Sequence, residues 1–220
     1  MKHIDEAFTF VFKDPNWPTK LLIGGVFAFL SIVFVGLPVI LGYGIELLQR
    51  VRRGEEYPLP EWTDVGVKFI VGFKYFITLV VYYLPVAFVM VPVMIYFVVA
   101  SMNGISGRDL GAPLGAAWMF VMPYLIAVSL CTPFIAAEFA THERIRDGLN
   151  VARVFKSFKH FWEDAVILAI ISFGLTLAAY LGILMFLIGI FLTMFFAICV
   201  HFHLYGQIGK AVNELSDAQG

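Results

Sequence analysis

Three ionisable side chains stand inside long apolar runs of this chain: Glu46, Lys74 and Glu138. A charge at membrane depth is costly, and it marks a functional hypothesis by default. Two carboxylates and an ammonium within hydrogen-bond reach would form a polar pocket able to hold or pass a proton. Each also has a simpler reading. Glu46 precedes Arg50 by one turn and Glu138 precedes His142 by one turn. Lys74 follows Lys68 closely enough for its chain to snorkel to the surface. The expectation is therefore interfacial anchoring, with a shared polar pocket of Glu46, Lys74 and Glu138 as the sharper alternative. His201 and His203 would point about 200° apart on a helix and cannot chelate one ion. Thr141-His142-Glu143-Arg144 lacks the second histidine of a zinc-protease motif. Cys131 and Cys199 sit in apolar runs as buried thiols. With no phosphate loop, serine elbow or cysteine–histidine spacing, the residues point to a non-enzymatic protein with no catalytic residue, cofactor or metal.

The elements that must position these residues are long and greasy. Of 220 residues, 60% are hydrophobic and 14% charged, against about 25% charged in soluble domains. The expected fold is all-α: a polytopic transmembrane bundle forming a single membrane domain over 1–220, with two interfacial amphipathic helices. The first is at 2–13, where Ile4, Ala7, Phe8, Val11 and Phe12 share one face and Asp14-Pro15 ends the helix. Asp14 is expected to cap the helix after it. Residues 19–53 hold the first apolar pair, a short hairpin turning at Gly36-Leu37-Pro38 or else a single tilted span. Kinked spans come next at 65–102 (with Pro85 and Pro92) and 112–140 (with Pro123 and Pro133). A basic amphipathic helix is expected at 143–162, with Ile145, Leu149, Ala152, Phe155, Phe158 and Trp162 as its stripe. Residues 165–209 must cross twice as a hairpin turning between Tyr180 and Gly189.

Sidedness is set by lysine and arginine, which mark cytoplasmic loops. Residues 50–68 and 141–163 are basic, whereas the turns near 103–111 and 180–189 carry little or no positive charge. The C-terminus is then cytoplasmic. Lys2, Lys13 and Lys20 draw the N-terminus to the same side, which requires the 21–48 stretch to go out and return. That gives six membrane segments; five spans with an external N-terminus is the alternative. Trp17, Trp62, Trp118 and Trp162 lie near the starts of apolar runs, as headgroup-level anchors do. Arg153, Lys156 and Lys159 are expected to join them against anionic headgroups. Gly107, Gly111 and Gly115 recur every four residues and are a candidate helix-packing face.

Phe12-Lys13-Asp14-Pro15-Asn16-Trp17, Leu22-Ile23-Gly24-Gly25, Leu41-Gly42-Tyr43, Arg53-Gly54, Leu59-Pro60-Glu61-Trp62 and His203-Leu204-Tyr205-Gly206-Gln207 succeed one another in that order. This order resembles the prokaryotic membrane proteins grouped as domain of unknown function 4013. The resemblance implies a multi-pass protein of a prokaryotic cytoplasmic (inner) membrane. It brings no activity or catalytic residue with it.

Mid-depth stretches near Val80, Leu125, Thr176 and Thr193 hold no acid, base or histidine, which argues against an ion-coupled pump. A net charge of −1 gives no argument for nucleic acid. The expected role is an accessory or scaffold subunit packing with membrane lipids or with other membrane-protein subunits. The alternative is a transporter or channel for lipid or another apolar solute, with a groove near Tyr83 and Tyr124.

Overall fold

The computed structural model describes residues 4–104, 107–181 and 188–219, and every regular element among them is helical. Helix α1 spans Ile4–Lys13 and stops at Asp14-Pro15. The Asp14 carboxylate accepts the Asn16 backbone N–H at 2.8 Å. Asp14 thus closes a local turn rather than capping the next helix, whose N-cap is Asn16. Helix α2, Trp17–Leu30, carries Pro18 in its first turn, where the missing N–H has no partner to lose. The two helices meet at 105°.

A 3-10 turn, Ser31–Val33, joins α2 to α3, Gly36–Arg53. The chain therefore does break into a helical hairpin here, but two residues earlier than Gly36-Pro38. Phe34 supplies the left-handed residue at φ 63°, and Gly36 and Pro38 already lie in the first turn of α3. Gly36 is needed for a different reason: a Cβ there would collide with the Phe27 carbonyl of α2.

Helix α4 runs Val65–Met102 and α5 runs Gly107–His142. Contacts gather the chain into two compact units, one of residues 1–78 with 131–220 and one of residues 79–130. The first is organised around α3, in which Ile40, Tyr43, Ile45, Leu47 and Leu48 are buried. Glycines let neighbours approach closely. Gly42 lies against the Lys68 carbonyl and Gly72 against the Pro38 carbonyl, a register that makes α3 and the start of α4 antiparallel. Helix α9, Ile188–Gln219, packs on both α2 and α3, with Phe195 over Gly24 and Phe202 over Gly44.

The helix expected over 143–162 is broken. Glu143 ends α5 at φ 55° and Arg144 is extended. A single turn, α6 (Ile145–Gly148), precedes α7 (Val151–His160). The Asn150 side chain accepts the Arg153 N–H at 3.2 Å and so starts a new helix where the stripe reads as continuous. At Phe161 the chain turns 90° into α8, Trp162–Leu181, which packs along α9. The turn expected between α8 and α9 lies outside the described residues.

In the second unit, the Tyr124 hydroxyl donates to the Tyr82 carbonyl at 2.8 Å. Ala100, Ala117, Val121 and Val128 are buried there, while Phe88, Met102, Met119 and Phe120 are 75–82% exposed. Among the described residues, three helices, Val65–Met102, Gly111–His142 and Gly189–Leu215, are long and apolar enough to cross a membrane. The number rises to five if each bent pair, α1 with α2 and α7 with α8, counts as one crossing. Among the described residues this is an all-helical architecture with several helices apolar enough to cross a membrane.

Candidate functional site

Polar chemistry in the first unit concentrates where α1 meets α2, where α3 and α5 end, and along the second half of α9. The Asp14-Pro15 break and the 105° corner bring Lys20 inward, and its side chain is 4% exposed. Its ammonium pairs with Asp14 at 2.7 Å and Glu61 at 2.6 Å and donates to the Leu59 carbonyl at 3.0 Å. A buried ammonium persists only with such compensation. The loop after α3 is fastened by the same cluster. Trp62 donates to the Lys20 carbonyl at 2.9 Å and stacks on Tyr43 and Phe27. The Tyr43 hydroxyl donates to the Pro60 carbonyl at 3.0 Å.

A second network surrounds Glu46, which pairs with Arg50 and with the buried Lys68, both at 2.8 Å. Lys68 also donates to the Thr63 carbonyl at 2.8 Å. A third ties helix ends together. Gln49 donates to the Ala140 carbonyl and to Glu143, both at 2.9 Å, capping the last turn of α5. Arg52 donates to the Ala137 carbonyl at 2.9 Å and to Asn213 on α9 at 2.7 Å. Ion pairs and hydrogen bonds here are spent on neighbouring backbone and side chains, so the networks hold helices together.

Beside them lies a cleft of about 650 Å³. Glu6, Glu55, Asp164 and Glu214 line it together with His203 and Lys210. His203 is buried and stacks on Phe10 of α1, ring centres 4.3 Å apart. Four carboxylates around one lysine make the cleft acidic in character.

The shared polar pocket, the alternative to interfacial anchoring for Glu46, Lys74 and Glu138, does not form: the three side chains go to different surroundings. Glu46 belongs to the Arg50–Lys68 network, Glu138 faces Arg153 at 3.9 Å, and Lys74 is exposed. Each follows its own helix face, which a shared depth in the membrane does not determine. Among the tryptophans, Trp118 and Trp162 are exposed, Trp17 is half-buried, and Trp62 folds inward onto Tyr43 and Phe27. Arg153, Lys156 and Lys159 are exposed on α7. Open space surrounds Gly111 and Gly115; the surroundings of Gly107 lie outside the described side chains.

Helix α1 is a further difference. Ala7, Phe10 and Val11 are buried, and the helix packs on α9. Of the apolar face expected to meet lipid, Ala7 and Val11 are used inside the protein, whereas Phe12 stays 53% exposed. The Lys20 cluster is the residue set least legible in the sequence. Its only signal is that Lys13-Asp14-Pro15-Asn16-Trp17 and Leu59-Pro60-Glu61-Trp62 are both distinctive segments, and the two meet.

Residues 26–185 match the model of a family described as protein of unknown function (DUF4013), and the chain belongs to that family. Leu41-Gly42-Tyr43, Arg53-Gly54 and Leu59-Pro60-Glu61-Trp62 fall within the matched residues; the motifs at 12–17, 22–25 and 203–207 do not. No curated protein and no solved structure matches the chain.

Proposed function

Starting from membership of that family, we propose that the chain is a non-enzymatic membrane protein, an accessory or scaffold subunit that packs with lipids or a larger membrane complex. The observation that carries this reading is the apolar surface of residues 79–130, where Phe88, Met102, Met119 and Phe120 are largely uncovered by the chain itself. Burying one such side chain is worth about 1.5–3 kcal/mol, so a surface of this kind calls for hydrocarbon or another apolar helix.

Its setting is a prokaryotic cytoplasmic membrane, crossed by six segments with both termini inside. Support for the sixth segment comes from Lys20. Its pairing with Leu59 and Glu61 joins the start of α2 to the loop after α3. A helix pair whose outer ends touch leaves and returns to one side. The transporter reading needs a groove near Tyr83 and Tyr124. The Tyr124 hydroxyl is instead engaged by the Tyr82 carbonyl, and no observation favours that reading.

Purification from native membranes in mild detergent, followed by cross-linking and mass spectrometry, tests the proposal. A stoichiometric companion membrane protein is the expected result. A lone monomer without a co-purifying protein overturns it.

A further inference from the structure

Helix α7 leaves an apolar strip that its own packing does not use. Val154 is buried, and Phe158 packs edge-on to Phe134 of α5 at 6.1 Å. At about 100° per residue, Val151 and Phe155 lie roughly 20° and 60° round from Phe158 and form the uncovered edge of the same apolar stripe. They are 62% and 59% exposed, and Trp162 beyond them is 53% exposed. Lys159 lies about 40° further round and Lys156 about 100° from Phe155. Both lysines are exposed, and Arg153 beyond them leans toward Glu138 at 3.9 Å.

The 90° turn at Phe161 sets the direction of this strip. Helix α8 exposes Ile170 and Phe173, as a helix in hydrocarbon does. A helix at right angles to the start of a membrane span runs along the membrane boundary. Acidic neighbours are Glu138, which faces Arg153, and Glu163 and Asp164 in the first turn of α8. The exposed cations flanking Phe155 match an anionic surface.

We infer that α7 is a docking face for the anionic cytoplasmic leaflet. Val151, Phe155 and Trp162 enter the headgroup boundary, and Lys156 and Lys159 snorkel to lipid phosphates. This rests on the chain being embedded through α8, and the test separates the two claims.

The full chain is placed in nanodiscs of phosphatidylcholine, with or without phosphatidylglycerol. Nitroxide labels are placed through Phe155→Cys or Phe173→Cys in a Cys131→Ala background, and collisions with oxygen and with a nickel chelate are compared. In anionic discs the label at residue 155 should favour oxygen, and Lys156→Gln with Lys159→Gln should weaken that preference. Native mass spectrometry of the unlabelled protein should show the double variant retaining phosphatidylglycerol about tenfold less well. If the label at 155 meets the chelate freely while that at 173 stays shielded, the α7 inference falls and embedding stands. If both meet it freely, embedding itself falls. Equal shielding in neutral discs, unmoved by the lysine changes, or shielding only in native membranes, also overturns the inference, the latter pointing to a protein occupant.

Discussion

Lys20 is a buried cation held in place by its neighbours. It is buried beside Asp14 and a peptide carbonyl, with the half-exposed Glu61 completing the cluster. Removing one partner of a buried pair leaves the other desolvated and costs about 3–5 kcal/mol. Lys20→Met should therefore lower the apparent melting temperature in detergent sharply, read by circular dichroism. Glu61→Gln should cost less than about 1 kcal/mol, because water already screens that carboxylate. Equal losses from the two variants would contradict the assignment of Asp14 as the principal partner. Glu46 and Glu138 make the complementary point. Both are charges within apolar runs, and each finds its own cation, Lys68 with Arg50 for one and Arg153 for the other.

Among the helices, glycine has opposite meanings at different places. Gly42 and Gly72 touch backbone carbonyls of the neighbouring helix, so no side chain fits. Gly42→Val should cost at least about 1–3 kcal/mol through overpacking, seen as loss of a monodisperse peak in size-exclusion chromatography. Gly111 and Gly115 face open space. Gly115→Ala should leave the purified chain as stable or up to about 1 kcal/mol more so, since helical glycine is disfavoured. A large destabilisation there would mean that the site is packed within the chain. The two amphipathic helices diverge for a related reason. Helical periodicity reports that a face is apolar, and it does not report whether protein or lipid will cover it. For α1 the cover is α9; for α7 the stripe is divided, with Val154 buried inside the protein and Val151 and Phe155 left exposed.

For the molecule as a whole, the contacts in the first unit bear on topology. Lys20 reaches the loop at 59–61, Gln49 reaches the end of α5, and Arg52 reaches Asn213 on α9. The ends of these segments therefore gather on one side of that unit, where the basic residues also lie. Membrane-impermeant labelling of single cysteines at Glu56 and Asn213 should give the same sidedness for both, and the opposite sidedness for Asn103. Different sidedness for Glu56 and Asn213 would dismantle the six-segment arrangement.

Sequence alone determined the helical class and the positions of the long apolar helices, while for residues 21–48 it left a hairpin and a single tilted span both open. Hydrocarbon imposes those features on any chain, because backbone polar groups must be satisfied within each segment. Periodicity and composition are local, so they carried this much. Tertiary structure decided which faces are consumed in packing, that Gly36 is a close approach while Phe34 makes the turn, and that Asn150 divides one apparent helix in two. It also decided that Asp14, Lys20 and Glu61 converge. Those outcomes depend on what lies opposite each residue, often tens of positions away along the chain, and no local pattern encodes the opposite side.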